Sequence, residues 1–379
     1  MANTTGVTEG ANVTGVAVVE RAAVEDSLWL SSLPTIRRAP IAERLPQLLG
    51  GAERDLPTEP IAAPVMTVVR TLAAGHGPVS DIAVSADGRY LVTTHYGADV
   101  VCVIDTATLA VTATIDGLSE PYSAVIVGDR AYVSAASNAE DAVVAVDTQA
   151  AAPLAAKTFD MTIGGLAVSP AGDVLYVGRT GEDTVDIAVI DIESGSVSSI
   201  AIPAAPGVAI EAVRINADGG RLFAALTTPA GGALAIVDTK ARTVRASVPI
   251  VGSIGDIAVM PNGRTVFATG RDAELGGAVH VIDVARARVT DTIGMGGVPT
   301  QLVLGRGGAC AYIVDGDEIA VMCTATTEIV DSVVIGPQLS CLAADPVRNR
   351  LYAADYTGAI SAVRLDPAAQ QPRLAVAAS

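Results

Sequence analysis

Aromatic residues and lysine are scarce in this chain of 379 residues. Phe, Trp and Tyr together make up 3% of it, and the two lysines are Lys157 and Lys240. Neither lysine follows a glycine, so the sequence contains no phosphate-binding P-loop. Because half of the residues are apolar but few are bulky, we expect the interior to pack through small aliphatic side chains.

Positive charge is also in short supply. The 24 Lys and Arg residues stand against 41 Asp and Glu residues, and the formal net charge is −17. A negative field of this size repels both the phosphate backbone and anionic lipid headgroups. No apolar run approaches the ~20 residues that a membrane-spanning helix needs. We therefore expect neither nucleic acid nor a membrane as the main partner.

The N-terminus lacks the basic and apolar regions of a secretory signal. This predicts a cytoplasmic protein, although an exported protein trimmed at its start would have the same sequence. The four cysteines are dispersed, with no C-x-x-C pair, and the three histidines are too few for a multi-histidine metal centre. We expect reduced thiols. A turn at 316–317 would place Cys310 directly opposite Cys323, and a disulfide there is the less favoured alternative.

The sequence does contain a repeat. Residues 79–115 read as four short β-rich runs separated by turns, with Asp-Gly at 87–88 as a hairpin signal. The end of the third run recurs seven times, with its third residue at Asp105, Asp147, Asp191, Asp238, Asp283, Cys323 and Asp366. Four strands in each repeat of roughly 40–45 residues are typical of a propeller blade. We predict an all-β, seven-bladed β-propeller with four antiparallel strands in each blade.

The repeat divides the chain into an N-terminal arm, residues 1–60, and a propeller, residues 61–379. The seventh blade has only three clear runs. We expect residues 65–72 to supply its outer strand and to close the ring, which removes two open sheet edges. Residues 372–379 compete for the same place.

The arm contains a stretch, residues 16–33, whose pattern predicts a partly amphipathic helix. Its apolar residues Leu28, Trp29, Leu30 and Leu33 predict a partner-binding or dimerisation segment, since they are a large apolar area for a free tail. The alternative is a tail that drapes over the propeller.

The recurring aspartate at the end of the third run invites a catalytic or metal-binding interpretation. Recurrence in six blades favours a turn instead, because a carboxylate can accept hydrogen bonds from backbone N–H groups that follow it. We predict an Asx-turn at each of these positions.

The second run of each repeat reads LVTT, YVSA, YVGR, FAAL, FATG, YIVD and YAAD. With ADGR or PNGR before it and VIDT after it, the pattern resembles the YVTN repeat of YncE-like seven-bladed propellers over about residues 61–379. Members of that family are often exported, and some contact DNA or cell-surface partners. Lactonases and some oxidoreductases are similar in fold, so the resemblance implies architecture and leaves the chemistry open.

The sequence contains no nucleophile elbow, zinc-protease or haem-attachment motif. A site is instead predicted by topology, because the innermost strand of a blade begins on the face where the second strand ends. Polar residues at these positions predict a ligand-binding channel mouth: Asp81, His95, Arg179, Glu211, Asp256, Arg271, Asp315 and Asp355.

Three interpretations of this mouth remain open. Asp81, Glu211 and Asp256 could bind Ca²⁺, as in a lactonase-type hydrolase, with His95 as a base. Arg179 and Arg271 could grip a carboxylate or phosphate. The third is a solvated rim of compensating charges, with His95 a surface histidine.

Our leading hypothesis needs no cofactor. It is a non-catalytic binding or scaffold propeller that recognises a protein partner or small ligand through its channel face and arm, and the arm could also form a homo-oligomer. The alternative is a small-molecule hydrolase of lactonase type.

Overall fold

The computed structural model describes residues 62–137 and 140–367, which contain 28 strands arranged as seven four-stranded sheets. Blade 1 consists of β2 (Asp81–Val84), β3 (Tyr90–His95), β4 (Val100–Asp105) and β5 (Ala110–Asp116). Blade 2 consists of β6 (Pro121–Val127), β7 (Arg130–Ala135), β8 (Asp141–Asp147) and β9 (Ala152–Phe159). Blade 3 consists of β10 (Thr162–Val168), β11 (Val174–Thr180), β12 (Val185–Asp191) and β13 (Val197–Ile202).

The second half of the ring repeats this order. Blade 4 consists of β14 (Ala209–Ile215), β15 (Arg221–Thr228), β16 (Gly231–Asp238) and β17 (Thr243–Ile250). Blade 5 consists of β18 (Ser253–Val259), β19 (Thr265–Asp272), β20 (Gly276–Asp283) and β21 (Arg288–Gly294). Blade 6 consists of β22 (Pro299–Leu304), β23 (Cys310–Asp315), β24 (Glu318–Cys323) and β25 (Ile329–Val334). Blade 7 consists of β26 (Leu339–Asp345), β27 (Arg350–Asp355), β28 (Ala359–Asp366) and β1 (Val65–Ala73).

The ring is closed by the first strand of the described chain. β1 pairs antiparallel with β28, from Val65 opposite Asp366 to Ala73 opposite Ala359. This confirms the prediction that residues 65–72 complete the last blade. The predicted arm, with Leu28, Trp29, Leu30 and Leu33, and the competing segment 372–379 lie outside the described residues.

Burial follows the position of a strand within its blade. The second strands are buried almost throughout, as in β3 and β15, whereas the outer strand β5 alternates between exposed and partly buried residues. Middle strands contact a neighbouring blade on both faces, so both sets of their side chains are apolar. Outer strands have one face toward water, and the period of two reappears there.

The core consists of clusters between neighbouring blades. Ile187 from blade 3 packs in one cluster with Val213 and Leu222 from blade 4, and all three are fully buried. Complete burial of an aliphatic side chain of this size contributes about 1.5–3 kcal/mol. Aliphatic residues dominate every cluster, as the composition predicts, while Phe223 and Phe267 are the phenylalanines among the largest fully buried side chains.

Two faces of the ring follow from the strand directions. We call the face where first strands begin and second strands end the upper face. The opposite face, which holds the turns from first to second and from third to fourth strands, is the lower face. The upper face therefore surrounds the predicted channel mouth.

The recurring aspartates form the predicted turns on the lower face. Asp105 accepts from the backbone N–H of Thr108 at 2.7 Å, and Asp191 accepts from Ser194 at 2.7 Å. Asp147, Asp238 and Asp283 make the same contact with an N–H two or three residues on. These hydrogen bonds confirm the Asx-turn interpretation in five blades.

The predicted turn at 316–317 is also present. It aligns Cys310 with Cys323 as direct partners on β23 and β24. Within the described part of the chain the two face each other as reduced, buried thiols, and burial raises the pKa of Cys310 to about 11. Across residues 62–137 and 140–367, the structure has no helix with the length and apolarity of a membrane span.

Candidate binding site at the channel mouth

Asp81 and Asp256 lie on inner strands at the upper end of the channel. Oδ2 of Asp81 accepts from the backbone N–H of Ala124 at 3.0 Å, and Oδ1 accepts from Ile82 at 2.9 Å. Oδ2 of Asp256 accepts from the N–H of Leu302 at 3.3 Å. Each carboxylate therefore joins the inner strand of its own blade to that of the next blade.

The charge of Arg214 acts on both of these carboxylates. It belongs to β14 of blade 4, and its Nη2 donates to Oδ1 of Asp256 at 2.6 Å. Burial raises the pKa of Asp81, which the Ala124 hydrogen bond and the Arg214 charge oppose. Burial likewise raises the pKa of Asp256, and Arg214 opposes it. The charge of Arg214 therefore acts on two buried carboxylates, and all three side chains already make hydrogen bonds within the protein.

Arg214 was not among the predicted site residues, although a signal for it exists. The aligned inner-strand positions lie opposite the fifth residue of the second strand: Asp81, Ser123, Gly165, Ala212, Asp256, Gln301 and Cys341. A β-bulge between Ile210 and Ala212 adds a residue to the strand. The predicted residue Glu211 therefore lies one position before the aligned residue Ala212. Side chains two residues apart on a strand lie on the same side of the sheet. Two residues after the aligned position, blade 4 carries the charged residue Arg214, whereas the other six blades carry alanine or valine.

Three tyrosines are the second feature that sequence reasoning missed. Tyr122 is the second residue of β6, Tyr96 follows β3, and Tyr356 follows β27, so all three lie on the upper face. Their exposed fractions are 44% for Tyr96, 60% for Tyr122 and 50% for Tyr356. The pKa of Tyr122 is raised, first by surrounding protein atoms and then by the charge of Asp81, with smaller effects of Tyr356 and Glu211. These four groups therefore share one region of the mouth.

His95 is not at the surface. It is fully buried, with Nε2 3.1 Å from Oγ1 of Thr93 and Nδ1 3.2 Å from the carbonyl oxygen of Gly77. The ring of His76 meets it edge-on, with 5.7 Å between centroids. Burial lowers the pKa of His95, so the ring is neutral near pH 7. The expectation of a surface histidine is wrong, because the loop before β2 covers the ring.

The two predicted arginines have different surroundings. Arg179 donates from Nε and Nη2 to both oxygens of Asp186, at 2.8 Å and 2.7 Å, and lies 4.9 Å above the ring of Phe159. The guanidinium group of Arg179 is therefore already bound to a carboxylate within the protein. Arg271 is exposed on the upper face. The structure does not bring these two arginines together on one ligand site.

Asp315 and Asp355 are buried, and each is the last residue of the second strand of its blade. Oδ2 of Asp315 accepts from the N–H of Gly297 at 3.0 Å, while its Oδ1 has no hydrogen-bond partner in the described part of the chain. Burial raises the pKa of Asp315. Oδ1 of Asp355 accepts from Thr357 at 2.9 Å and from Ala359 at 3.0 Å. Both carboxylates support loops of the upper face from within.

The calcium interpretation requires several carboxylates around one point. Among the described residues, no group of three or more His, Cys, Asp or Glu side chains is close enough to hold a metal ion. Glu211 is exposed, whereas Asp81 and Asp256 point into blade junctions. The three predicted calcium ligands therefore do not surround a common point.

Two clefts in the described region lie away from the mouth. One, of about 340 Å³, is lined on the lower side of blades 1 and 2 by Arg89, Tyr90 and Asp129 among others. The other, of about 370 Å³, lies between blades 4 and 5 and is lined by Asp272 and His280 among others. Neither contains a predicted site residue, so we place the candidate site at the tyrosine-rich mouth.

Comparisons with known proteins agree on the architecture. No protein-family model matches the chain. A seven-bladed β-propeller protein of Mycobacterium tuberculosis, Rv1057, is 31% identical over 335 residues, which cover 79% of this chain and 84% of that protein. A seven-bladed β-propeller protein of Mycolicibacterium smegmatis is 37% identical over 183 residues, covering 48% of this chain and 50% of the relative.

Two solved structures show the same fold at low sequence identity. Kuenenia stuttgartiensis hydrazine synthase superposes with a TM-score of 0.67 at 21% identity, covering 77% of this chain and 96% of that one. The β-propeller domain of Cps50 (Swd1) from Myceliophteria thermophila superposes with a TM-score of 0.66 at 16% identity, covering 79% and 100%. The repeat, the closed ring and the long match to Rv1057 together show that the chain belongs to the family of seven-bladed β-propeller proteins.

Proposed function

We propose that this protein is a non-catalytic binding propeller that holds a protein partner on its upper face. Within the propeller family, the repeat pattern supports the narrower YncE-like resemblance. The observation that carries the proposal is the position of exposed apolar side chains. Seven of the thirteen in the described region lie on the upper face: Tyr96, Tyr122, Val251, Leu275, Val298, Val334 and Tyr356. Tyrosine in particular is enriched where proteins bind one another.

The polar groups of the upper face support binding more than catalysis. Asp81, Asp256 and Arg179 have well-defined structural partners, and His95 is buried. A general base needs access to the proton that it removes. These observations favour the scaffold role over the lactonase-type alternative.

The charge of the upper face indicates the kind of partner. Its loops carry exposed carboxylates at Glu120, Glu182, Asp183, Glu211, Glu274 and Asp317, against the exposed cation Arg271. Complementary potentials guide association and reject partners of like charge. We therefore expect a protein surface with apolar residues flanked by lysine or arginine.

A photo-crosslinking residue at Tyr122 tests this proposal. In the native host we expect it to capture a different protein, whereas the same residue at Val347, an exposed apolar position on the lower face, does not capture that protein. With the partner purified, the double variant Tyr122→Ser and Tyr356→Ser should weaken binding at least about tenfold. Val347→Ser is the matched control. Equal capture from both faces, or unchanged affinity, would contradict the proposal.

A further inference from the structure

The lower face separates its charges by blade. In blade 4, Arg221 follows the first turn, Lys240 and Arg242 lie in the second turn, and Arg245 follows it. All four side chains are exposed. The carboxylates on this part of the face are Asp218 and Asp238, and Asp238 is ion-paired with Arg245 at 2.7 Å.

Blade 5 continues the positive surface. Arg264 precedes β19, Arg286 lies in the second turn, and Arg288 begins β21, all exposed. Asp283 is the carboxylate in these turns, and it pairs with Arg286 at 2.6 Å. Blades 4 and 5 together therefore present seven exposed cations and three carboxylates on the lower face. We call these seven cations the basic half.

The lower face of blades 1 to 3 has the opposite sign. Its turns carry seven carboxylates, which we call the acidic half: Asp87, Asp105, Asp129, Asp147, Asp173, Asp191 and Glu193. The cations that these blades contribute are Arg89, which pairs with Asp87, and Arg130. Two arginines of blade 7 also reach the turns of blade 1, Arg70 at Thr108 and Arg348 at Gly88. Blade 3 contributes three of the acids and no cation to this face. One face of the molecule thus holds two large regions of opposite charge side by side.

We propose that two copies of this chain dock lower face to lower face about a two-fold axis, with the basic half of each against the acidic half of the other. A two-fold contact requires a surface that is complementary to itself, and adjacent halves of opposite sign meet that requirement. The charge pattern also disfavours a long polyanion as occupant, because it would reach the acidic half.

The seven-fold ring fixes which blades meet. We consider a two-fold axis that lies parallel to the lower face and passes over the boundary between blades 3 and 4. Rotation about it places the second ring over the first with its blades in the opposite order. Blade 4 then lies over blade 3 of the second copy, blade 5 over blade 2 and blade 6 over blade 1, while blade 7 meets blade 7. This places Lys240 over Glu193 and Arg264 over Asp129, all four exposed.

Each exposed charge pair contributes little attraction by itself, so the pairs set the orientation mainly because any other arrangement would bring like charges together, which is costly. Apolar contact comes from Val197 and Ile329, which are exposed on the lower face at 38% and 39%. The proposal is independent of the upper-face partner, since the two surfaces lie on opposite sides of the ring.

Charge reversal on the full chain tests the proposal by sedimentation equilibrium. We expect the native chain to be a dimer. The variants Lys240→Glu with Arg264→Glu, and Asp129→Lys with Glu193→Lys, should each raise the dimer dissociation constant at least about a hundredfold, because like charges then face each other. An equimolar mixture of the two variants should dimerise again, since each supplies the sign that the other lacks.

The mixture also guards against a folding defect, because misfolded variants would not recover affinity for each other. A monomeric native chain, double variants that dimerise as the native chain does, or a mixture that stays monomeric would each overturn the proposal. A dimer dissociation constant that the charge reversals leave unchanged would place the contact elsewhere, for example in residues 1–60.

Discussion

The carboxylate of Asp81 accepts a hydrogen bond from the backbone N–H of Ala124 at 3.0 Å, which joins the inner strands of blades 1 and 2. Asp256 makes the equivalent contact with Leu302, and Gln301 does so with Leu342. Among the 28 described strands no backbone ladder joins one blade to the next, so these side chains supply polar links along the channel wall. Burying the carboxylates raises their pKa values.

The raised pKa of Asp81 predicts how the free energy of unfolding depends on pH. Its folded-state pKa lies above the ordinary value of 3.8, chiefly because burial disfavours the charged form. The protonated group therefore stabilises the fold fully below that value, and this stabilisation is lost as pH rises through the folded-state pKa. We expect the free energy of unfolding of the native protein, relative to Asp81→Asn, to fall across that window. Urea unfolding at a series of pH values measures it.

Asp105 provides the matched control. Hydrogen bonds from the side chain and backbone of Thr108 lower the pKa of Asp105. Its stabilisation is present above the ordinary value and is lost as pH falls through the folded-state pKa. The native protein relative to Asp105→Asn should therefore show a slope of opposite sign. Slopes of the same sign for both variants would refute the assignment.

The Arg179–Asp186 pair predicts a non-additive effect on stability. The two side chains are 13% and 17% exposed, so water screens them only partly. Arg179→Met leaves a mostly buried carboxylate without its counter-ion and should cost about 1–3 kcal/mol. Adding Asp186→Asn removes that charge, and the double variant should lose less than the sum of the single losses. Strict additivity in denaturant unfolding would show that the pair is not coupled.

Gly164 predicts a steric effect at the junction of blades 3 and 4. A Cβ atom at this position would lie 1.8 Å from the carbonyl oxygen of Ile210. A backbone atom cannot rotate away as a side chain can, so Gly164→Ala should destabilise the fold by about 1–3 kcal/mol. Gly296, with nothing within 4 Å of such an atom, is the control, and Gly296→Ala should be neutral or stabilising by up to about 1 kcal/mol. Thermal unfolding compares the two, and equal midpoints would contradict the close approach.

Calcium removal addresses the hydrolase alternative directly. In the described region, Asp81 and Asp256 accept from neighbouring blades, and no cluster of three acidic, histidine or cysteine side chains is present. We expect EDTA or added Ca²⁺ to leave the thermal midpoint unchanged and elemental analysis to find no stoichiometric calcium. A shift of several degrees together with bound calcium would favour a metal-dependent hydrolase.

Strand and turn positions could be predicted because their causes are local. Asp-Gly at 87–88 and the turn at 316–317 depend on a few neighbouring residues, and the latter predicted the alignment of Cys310 with Cys323. The site could be predicted only in part. A β-bulge near Glu211 shifted the register by one residue, and the burial of His95 depends on a loop 18 residues away in the chain, at Gly77.

The sequence by itself determined the number of blades, the strands in each and the Asx-turns. The repeat period, the alternation of side chains along a strand and the turn chemistry each depend on residues that lie within about one blade of one another in the chain. Only the tertiary structure decided what each polar side chain contacts. Arg214 reaches Asp256, 42 positions further on, and three tyrosines from blades 7, 1 and 2 lie on one face of the ring. The physical reason is ring closure, which brings residues from different repeats together in space. The repeat pattern specifies the strands within a blade, but it does not specify which side chains of different blades come into contact.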